Sequence, residues 1–132
     1  MTPPARPEAR IRVTLRWRDM DELGHLNQSV YHELLEEGRM ALLADELVTD
    51  DTSFVLVRVE LDYRREIRRE DGTADVIVRV ARVGRSSLDV EHEIVRPDGT
   101  VAAGGRSVLV AWDLRERRAR PLTDAQRTAL GG

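Results

Sequence analysis

The feature that most restricts the fold of this chain is a single long helical stretch set among five stretches of strand alternation. Ile11, Val13, Leu15 and Trp17 alternate with polar residues and predict a strand with one buried face. Over residues 29 to about 46, Val30, Leu34 and Ala41, beside Tyr31, Leu35 and Leu42, recur at helical spacing. Ser29 or Asn27 can cap this helix, and Gly38 in its middle suggests close approach of a strand. Four more strands are expected, at 54–63, 74–83, 87–95 and 101–112. EIRREDGT reads as the turn after the first of these, and Pro97-Asp98-Gly99 as a hairpin turn. The predicted order is strand, helix, then four strands in a meander. Thr123-Asp124-Ala125-Gln126 matches a capping box and starts a short helix to about Leu130. Residues 1–10 read as a flexible arm, 11–122 as one domain, and 123–132 as the terminal helix and tail.

Strand faces add a further constraint. Val108, Val110 and Trp112 share one face of the last strand, and Leu109 and Ala111 share the other. Val55, Val57 and Val59 are expected to oppose Phe54 and Leu56 in the same way. Two apolar faces call for cover on both sides, and one helix covers only one. A second copy of the chain is the economical cover, so a homodimer or homotetramer is expected.

Composition excludes several classes. At 132 residues with 41% hydrophobic and 34% charged content, one soluble domain is expected. A net charge of −3 offers no basic field for nucleic acid, and no apolar run approaches the ~18 residues that cross a bilayer. The start, MTPPARPEAR, has no secretory apolar segment, and with zero cysteines there is neither a disulfide framework nor a thiolate metal site. Cytoplasmic residence is the simplest expectation. All the basic residues are arginine, which a GC-rich coding sequence explains.

The chemistry concentrates between the first strand and the helix, where Asp19, Asp21, Gly24, His25 and Asn27 occupy one polar loop. A carboxylate just ahead of a helix N-terminus stands beside unpaired backbone N–H groups that favour developing negative charge, a layout suited to acyl transfer. Asp21 could attack a carbonyl or activate water, or it could simply form an Asx turn. His25 could partner Asp21, donate to a substrate, or pack the loop; the same spacing occurs in hydratases. His32 and Glu36, four apart, read as a solvated ion pair rather than metal ligands. Gly84 to Ser87 reads as a turn that could also wrap a phosphate.

The stretch DMDELGHLNQSVYHELLEEGR resembles the Asp-x-Asp-x-x-Gly-His-Val-Asn-Asn-x-x-Tyr…Glu-x-x-Arg signature of hotdog-fold acyl-CoA thioesterases, the 4-hydroxybenzoyl-CoA thioesterase-like family. VARVGRSSLDVEHEIVRPDGTVAAGGRSVLVAWD resembles that family's second half. The likeness implies an α+β hotdog fold, a long central helix wrapped by a five-stranded antiparallel sheet. It implies hydrolysis of acyl-CoA to a carboxylic acid and free CoA, with Asp21 as nucleophile or general base. The Gln28 backbone N–H would face the thioester oxygen, and His25, Asn27 and Tyr31 would shape the pocket. Arg64, Arg65, Arg85, Ser86 and Ser87 are candidate coenzyme A contacts, in a site lying between two subunits. Coenzyme A is then substrate rather than cofactor, and no metal is expected. Met20 departs from the common Thr or Ser, and LDYRREIRREDG lacks the usual Pro. A non-catalytic acyl-CoA or acyl-carrier-protein binding module and an enoyl-thioester hydratase are the alternatives.

Overall fold

The alternating segments close into one antiparallel sheet curled around a helix. The computed structural model describes residues 6–43, 47–49 and 51–132. Its long strands are β1 (Glu8–Thr14), β2 (Thr52–Tyr63), β3 (Thr73–Val83), β4 (Ser87–Val95) and β5 (Val101–Asp113), with a two-residue β6 (Arg118–Ala119) added to β5. The helices are α1 (Gln28–Leu42) and α2 (Asp124–Ala129). This is the expected α+β hotdog arrangement. The expected helical residues 44–46 lie outside the described residues.

Strand order corrects the meander. The sheet runs β1-β3-β4-β5-β2, so only β3, β4 and β5 form consecutive hairpins. β2 pairs with β5 at one edge, and β1 with β3 at the other. Local alternation cannot specify this order, because the partner of β2 is decided by which edge the chain reaches after crossing the sheet. The 66–72 segment is accordingly a crossover rather than a simple turn. Pro97-Asp98-Gly99 is a hairpin turn as expected, with Gly99 at φ 88° and the Thr100 N–H donating to Asp98 at 2.8 Å.

Bulges bend the sheet and re-aim its side chains. Register shifts fall between Leu56 and Arg58, Val80 and Arg82, and Ile94 and Val95, each increasing local curvature. The first flips the face of everything after it. Val59 pairs with Ser107 and packs on the helix side with Phe54, instead of sharing a face with Val55 and Val57. Val55 and Val57 remain exposed, at 37% and 58%.

The first strand also differs from expectation. β1 begins at Glu8, inside the stretch read as an arm, and ends at Thr14. Trp17 is therefore not a buried strand residue. It sits in a 3₁₀ turn, 73% exposed, with the Arg69 guanidinium 3.5 Å from its ring centroid.

Helix α1 lies across β1, β3 and β4 and buries Val30, Tyr31, Leu34, Leu35 and Leu42. Gly38 marks the crossing: a Cβ there would lie 2.7 Å from both Val76 Cγ1 and Val78 Cγ2. The apparent defect in helix propensity is thus the contact that seats the helix. α2 has the expected reciprocal cap between Thr123 and Gln126, and Gln126 also donates to the Leu47 carbonyl at 3.2 Å. Among the described residues no helix is long and apolar enough to cross a membrane.

Candidate active site

The loop between β1 and α1 is folded by its own polar groups. Gly24 takes φ 82°, a conformation costly for side-chain-bearing residues, and lets the chain turn back so that the Asp21 N–H donates to the His25 carbonyl at 2.9 Å. Met20 bridges Leu26, and the Leu26 N–H donates to the Ile67 carbonyl at 2.7 Å. His25 bridges Arg68. The crossover after β2 thereby becomes one wall of the loop.

The two aspartates have opposite environments. Asp19 is 4% exposed, and Arg16 supplies its backbone N–H at 2.8 Å and its guanidinium at 2.9 Å. Burial pushes the Asp19 carboxyl up, but the bonds and charge of Arg16 outweigh it and hold the group below the ordinary carboxylate range. The Asp19 carbonyl also receives the Asn27 N–H at 2.9 Å, fixing the start of α1. Asp21 is partly exposed. Its Oδ1 accepts the Leu23 N–H at 2.9 Å and the His25 N–H at 3.4 Å, and its Oδ2 lies 3.1 Å from His25 Nδ1. Asp21 does form the turn that an ordinary loop aspartate would form, while keeping a second oxygen beside an imidazole.

Asn27 caps the helix, its side-chain oxygen accepting the Ser29 N–H at 3.1 Å, and its carbonyl takes the Val30 N–H at 2.9 Å. Gln28 is the first helical residue, and its N–H has no acceptor among the described residues. His25, Leu26, Gln28 and Tyr31 line a cleft of about 250 Å³, whose other wall is Tyr63, Arg64, Arg65 and Glu66. Tyr31 and Tyr63 meet edge to face, ring centroids 5.0 Å apart. Burial raises the Tyr31 phenol above its ordinary value, with smaller contributions from Tyr63, Asp21 and Glu66.

Asp21, His25, Asn27, Gln28, Tyr31, Arg64 and Arg65 therefore gather at one end of the sheet. Arg85, Ser86 and Ser87 do not join them within the protomer. Ser87 pairs with Val110 and Tyr63 with Ala103, seven positions apart along β5, or about 24 Å. The carbonyls of Ser86 and Arg85 are occupied by the Ala111 and Leu122 N–H groups. His32 and Glu36 are both exposed. Among the described residues no group of three or more His, Cys, Asp or Glu is placed to hold a metal ion.

Tyr63 and Glu66 were missed by sequence reasoning. An aromatic residue followed by paired arginines at the end of an apolar strand was the available signal for Tyr63. Glu66 had none, because its place depends on the crossover. Glu66 is paired to Arg68 at 2.6 Å.

A hotdog sheet whose helix begins at such a cleft is the scaffold of a thioester hydrolase. The sequence pattern of the thioesterase-like superfamily matches residues 15–130, and the chain belongs to that superfamily. It is 25% identical over 124 residues to the long-chain acyl-CoA thioesterase FadM of Escherichia coli K12, across 90% of this chain and 94% of that protein. It is 38% identical to a thioesterase from Thermus thermophilus whose crystal structure was determined with coenzyme A and Zn. That match has a TM-score of 0.79 and covers 92% of this chain and 90% of the other.

Proposed function

We propose that this protein hydrolyses acyl-CoA thioesters to a carboxylic acid and free CoA, with Asp21 as nucleophile or general base. One observation carries the reading: a partly exposed carboxylate lies 3.1 Å from His25, which lines the same cleft as Gln28, whose N–H is unpaired at the start of α1. The thioester oxygen turned toward the Gln28 N–H would gain a donor and the positive end of the helix as charge develops on it. Asp21 then either attacks the carbonyl carbon or removes a proton from the attacking water. Attack breaks the C–S bond and forms a mixed anhydride with Asp21, which water hydrolyses to the acid; in the water route Asp21 takes the water proton as the C–O bond forms and the C–S bond breaks. In both, water supplies the oxygen of the acid and the proton that leaves CoA as the thiol. The matched thioesterases, one an acyl-CoA thioesterase and another crystallised with coenzyme A, support the substrate class.

The test is thiol release over a panel of short, long and aromatic acyl-CoAs. Asp21→Asn keeps both backbone acceptor positions, so the fold should persist while turnover falls at least about a hundredfold, as for loss of a group acting in the transition state. Unchanged thiol release in that variant would overturn the role of Asp21. Saturable binding without release would favour a binding module, and loss of enoyl absorbance without thiol a hydratase.

The working unit is proposed to be a homodimer, or a tetramer built from two such dimers, joined along β2. That edge exposes Val55, Leu56 and Val57, and a long apolar edge is normally paired or covered. Antiparallel pairing about the middle of β2 would carry the partner subunit's Arg85, the partner subunit's Ser86 and the partner subunit's Ser87 to the end of the sheet that holds Asp21, within reach of coenzyme A phosphates. Val57→Asp should shift sedimentation toward monomer and raise KM for acyl-CoA; a stable wild-type monomer at micromolar concentration would refute the arrangement.

A further inference from the structure

Of the three histidines only His92 is buried, and the reaction proposed above does not use it. It shares a face of β4 with the core residues Val90 and Ile94, and its ring ends a row of polar groups inside the sheet. The row starts at Arg39, itself buried, which directs a guanidinium N–H at Ser107 Oγ, 3.5 Å away. Ser107 Oγ lies 3.1 Å from His92 Nδ1, and His92 Nε2 lies 2.9 Å from the Glu60 carbonyl oxygen.

The chemistry of the two ends fixes every proton between them. A guanidinium only donates, and a backbone carbonyl only accepts. His92 must therefore carry its proton on Nε2, which leaves Nδ1 to accept from the Ser107 hydroxyl. Ser107 keeps its lone pairs for Arg39. Burial lowers the His92 pKa and so favours this neutral form, with Arg39 and His32 acting in the same direction against the Glu60 bond.

A glycine makes the reach possible. His92 of β4 faces Gly105 of β5, and Gly105 faces Leu61 of β2. A Cβ at Gly105 would overlap the Glu60 carbonyl oxygen. With no side chain there, the imidazole crosses β5 and bonds β2, two strands from its own. Within the protomer β5 is the ladder partner of β2, so this bond is a second attachment for an edge strand. Three residues beyond Glu60, β2 ends at Tyr63, and Tyr63, Arg64 and Arg65 form one wall of the cleft. The other wall is the start of α1, with Tyr31 against Tyr63. A shift of this end of β2 would change the width of the cleft while leaving Asp21 and the Gln28 N–H in place.

We propose that His92 is a positioning residue for the cleft: in its Nε2–H form it fixes the Glu60 carbonyl, and so holds Tyr63, Arg64 and Arg65 at the spacing from α1 that binds acyl-CoA. The proposal rests on the thioesterase reading and deepens it by naming what sets the binding wall.

The first measurement is a nitrogen NMR spectrum of the imidazoles, with His92 assigned by the signals lost in His92→Gln. At about pH 7 it should show a protonated Nε2 and a bare Nδ1; the opposite tautomer overturns the proposal. The second is thiol release on the acyl-CoA turned over best among short, long and aromatic ones. His92→Leu should raise KM at least about fivefold and change kcat less than about twofold, the signature of lost binding. The amide of His92→Gln can both donate to Glu60 and accept from Ser107, so KM should return to within about twofold of wild type. A purely structural role would instead reduce the active fraction, lowering kcat at constant KM. That result, or a Gln variant no better than Leu, overturns the proposal. If His92→Leu does not fold, Gly105→Ala takes its place, because the new methyl displaces the same carbonyl. No thiol release from any acyl-CoA refutes the thioesterase reading itself. The same variants are then compared by their dissociation constants for coenzyme A, and an unchanged constant overturns the role of His92 as well.

Discussion

Replacing Gly38 by alanine isolates the contact that seats the helix on the sheet. In an exposed helix the change would stabilise by about 1 kcal/mol, the difference in intrinsic propensity. Here the new methyl would stand 2.7 Å from two valine methyl groups at once, closer than real Cβ contacts allow. Val76 and Val78 are fully buried, and their branched side chains have little rotamer freedom on a strand, so the helix itself must lift. Overpacking of this kind costs about 1–3 kcal/mol, and two simultaneous clashes place the site at or above the upper end. After subtracting the propensity gain, Gly38→Ala should lose about 2 kcal/mol. With unfolding entropy near 2.1 cal/mol/K per residue, that lowers Tm by about 7 °C for a chain of this length. Urea denaturation at one fixed protomer concentration measures it, because assembly shifts the apparent stability. The m-value should stay constant while the midpoint falls. Adding Val76→Ala should cost less in the alanine-38 background than in wild type, giving a coupling of at least about 1 kcal/mol. A Gly38→Ala protein as stable as wild type would show that the helix is not seated by this contact.

Two further predictions concern the helix cap and the buried histidine. Asn27→Ala removes the acceptor for the Ser29 N–H, and should cost about 1 kcal/mol in stability while reducing kcat more than KM, since the Gln28 N–H lies one residue on; an unaltered kcat would separate the cap from catalysis. His92, 1% exposed, bonds the Glu60 carbonyl at 2.9 Å and Ser107 Oγ at 3.1 Å. Burial holds its imidazole below the ordinary value, with Arg39 and His32 acting in the same direction and the Glu60 bond opposing them. The unfolded chain therefore takes up this proton first. Stability should be full above about pH 6.5 and decline as pH falls from there toward the folded pKa, by the linkage of proton binding to folding. His92→Gln should flatten that decline in urea midpoints measured between pH 7 and pH 5, and an unchanged slope would contradict it.

Much of the architecture was legible because its signals are local. A period of 3.6 marked α1, a period of two marked the strands, and reciprocal Thr123–Gln126 bonding marked α2. Gly38 was readable for the same reason: a glycine inside an otherwise good helix needs a neighbour that excludes Cβ. Trp17 misled, since alternation continues past Thr14 although the pairing with β3 stops there.

The sequence by itself determined the elements, the capped loop and the set of polar residues within it. The family resemblance singled out Asp21 over Asp19, but tertiary structure alone decided how their surroundings differ. Two aspartates two positions apart are equivalent in residue type, and only the fold buries one against Arg16 and leaves the other partly exposed beside His25. The β2 bulge that turns Val59 inward, the position of β2 beside β5, and the withdrawal of Arg39 from water likewise depend on contacts far apart in the chain. The physical reason is the range of the forces involved. Periodicity and capping act over a few residues, whereas burial, register and the environment of a charge are set by whatever the closed sheet brings alongside.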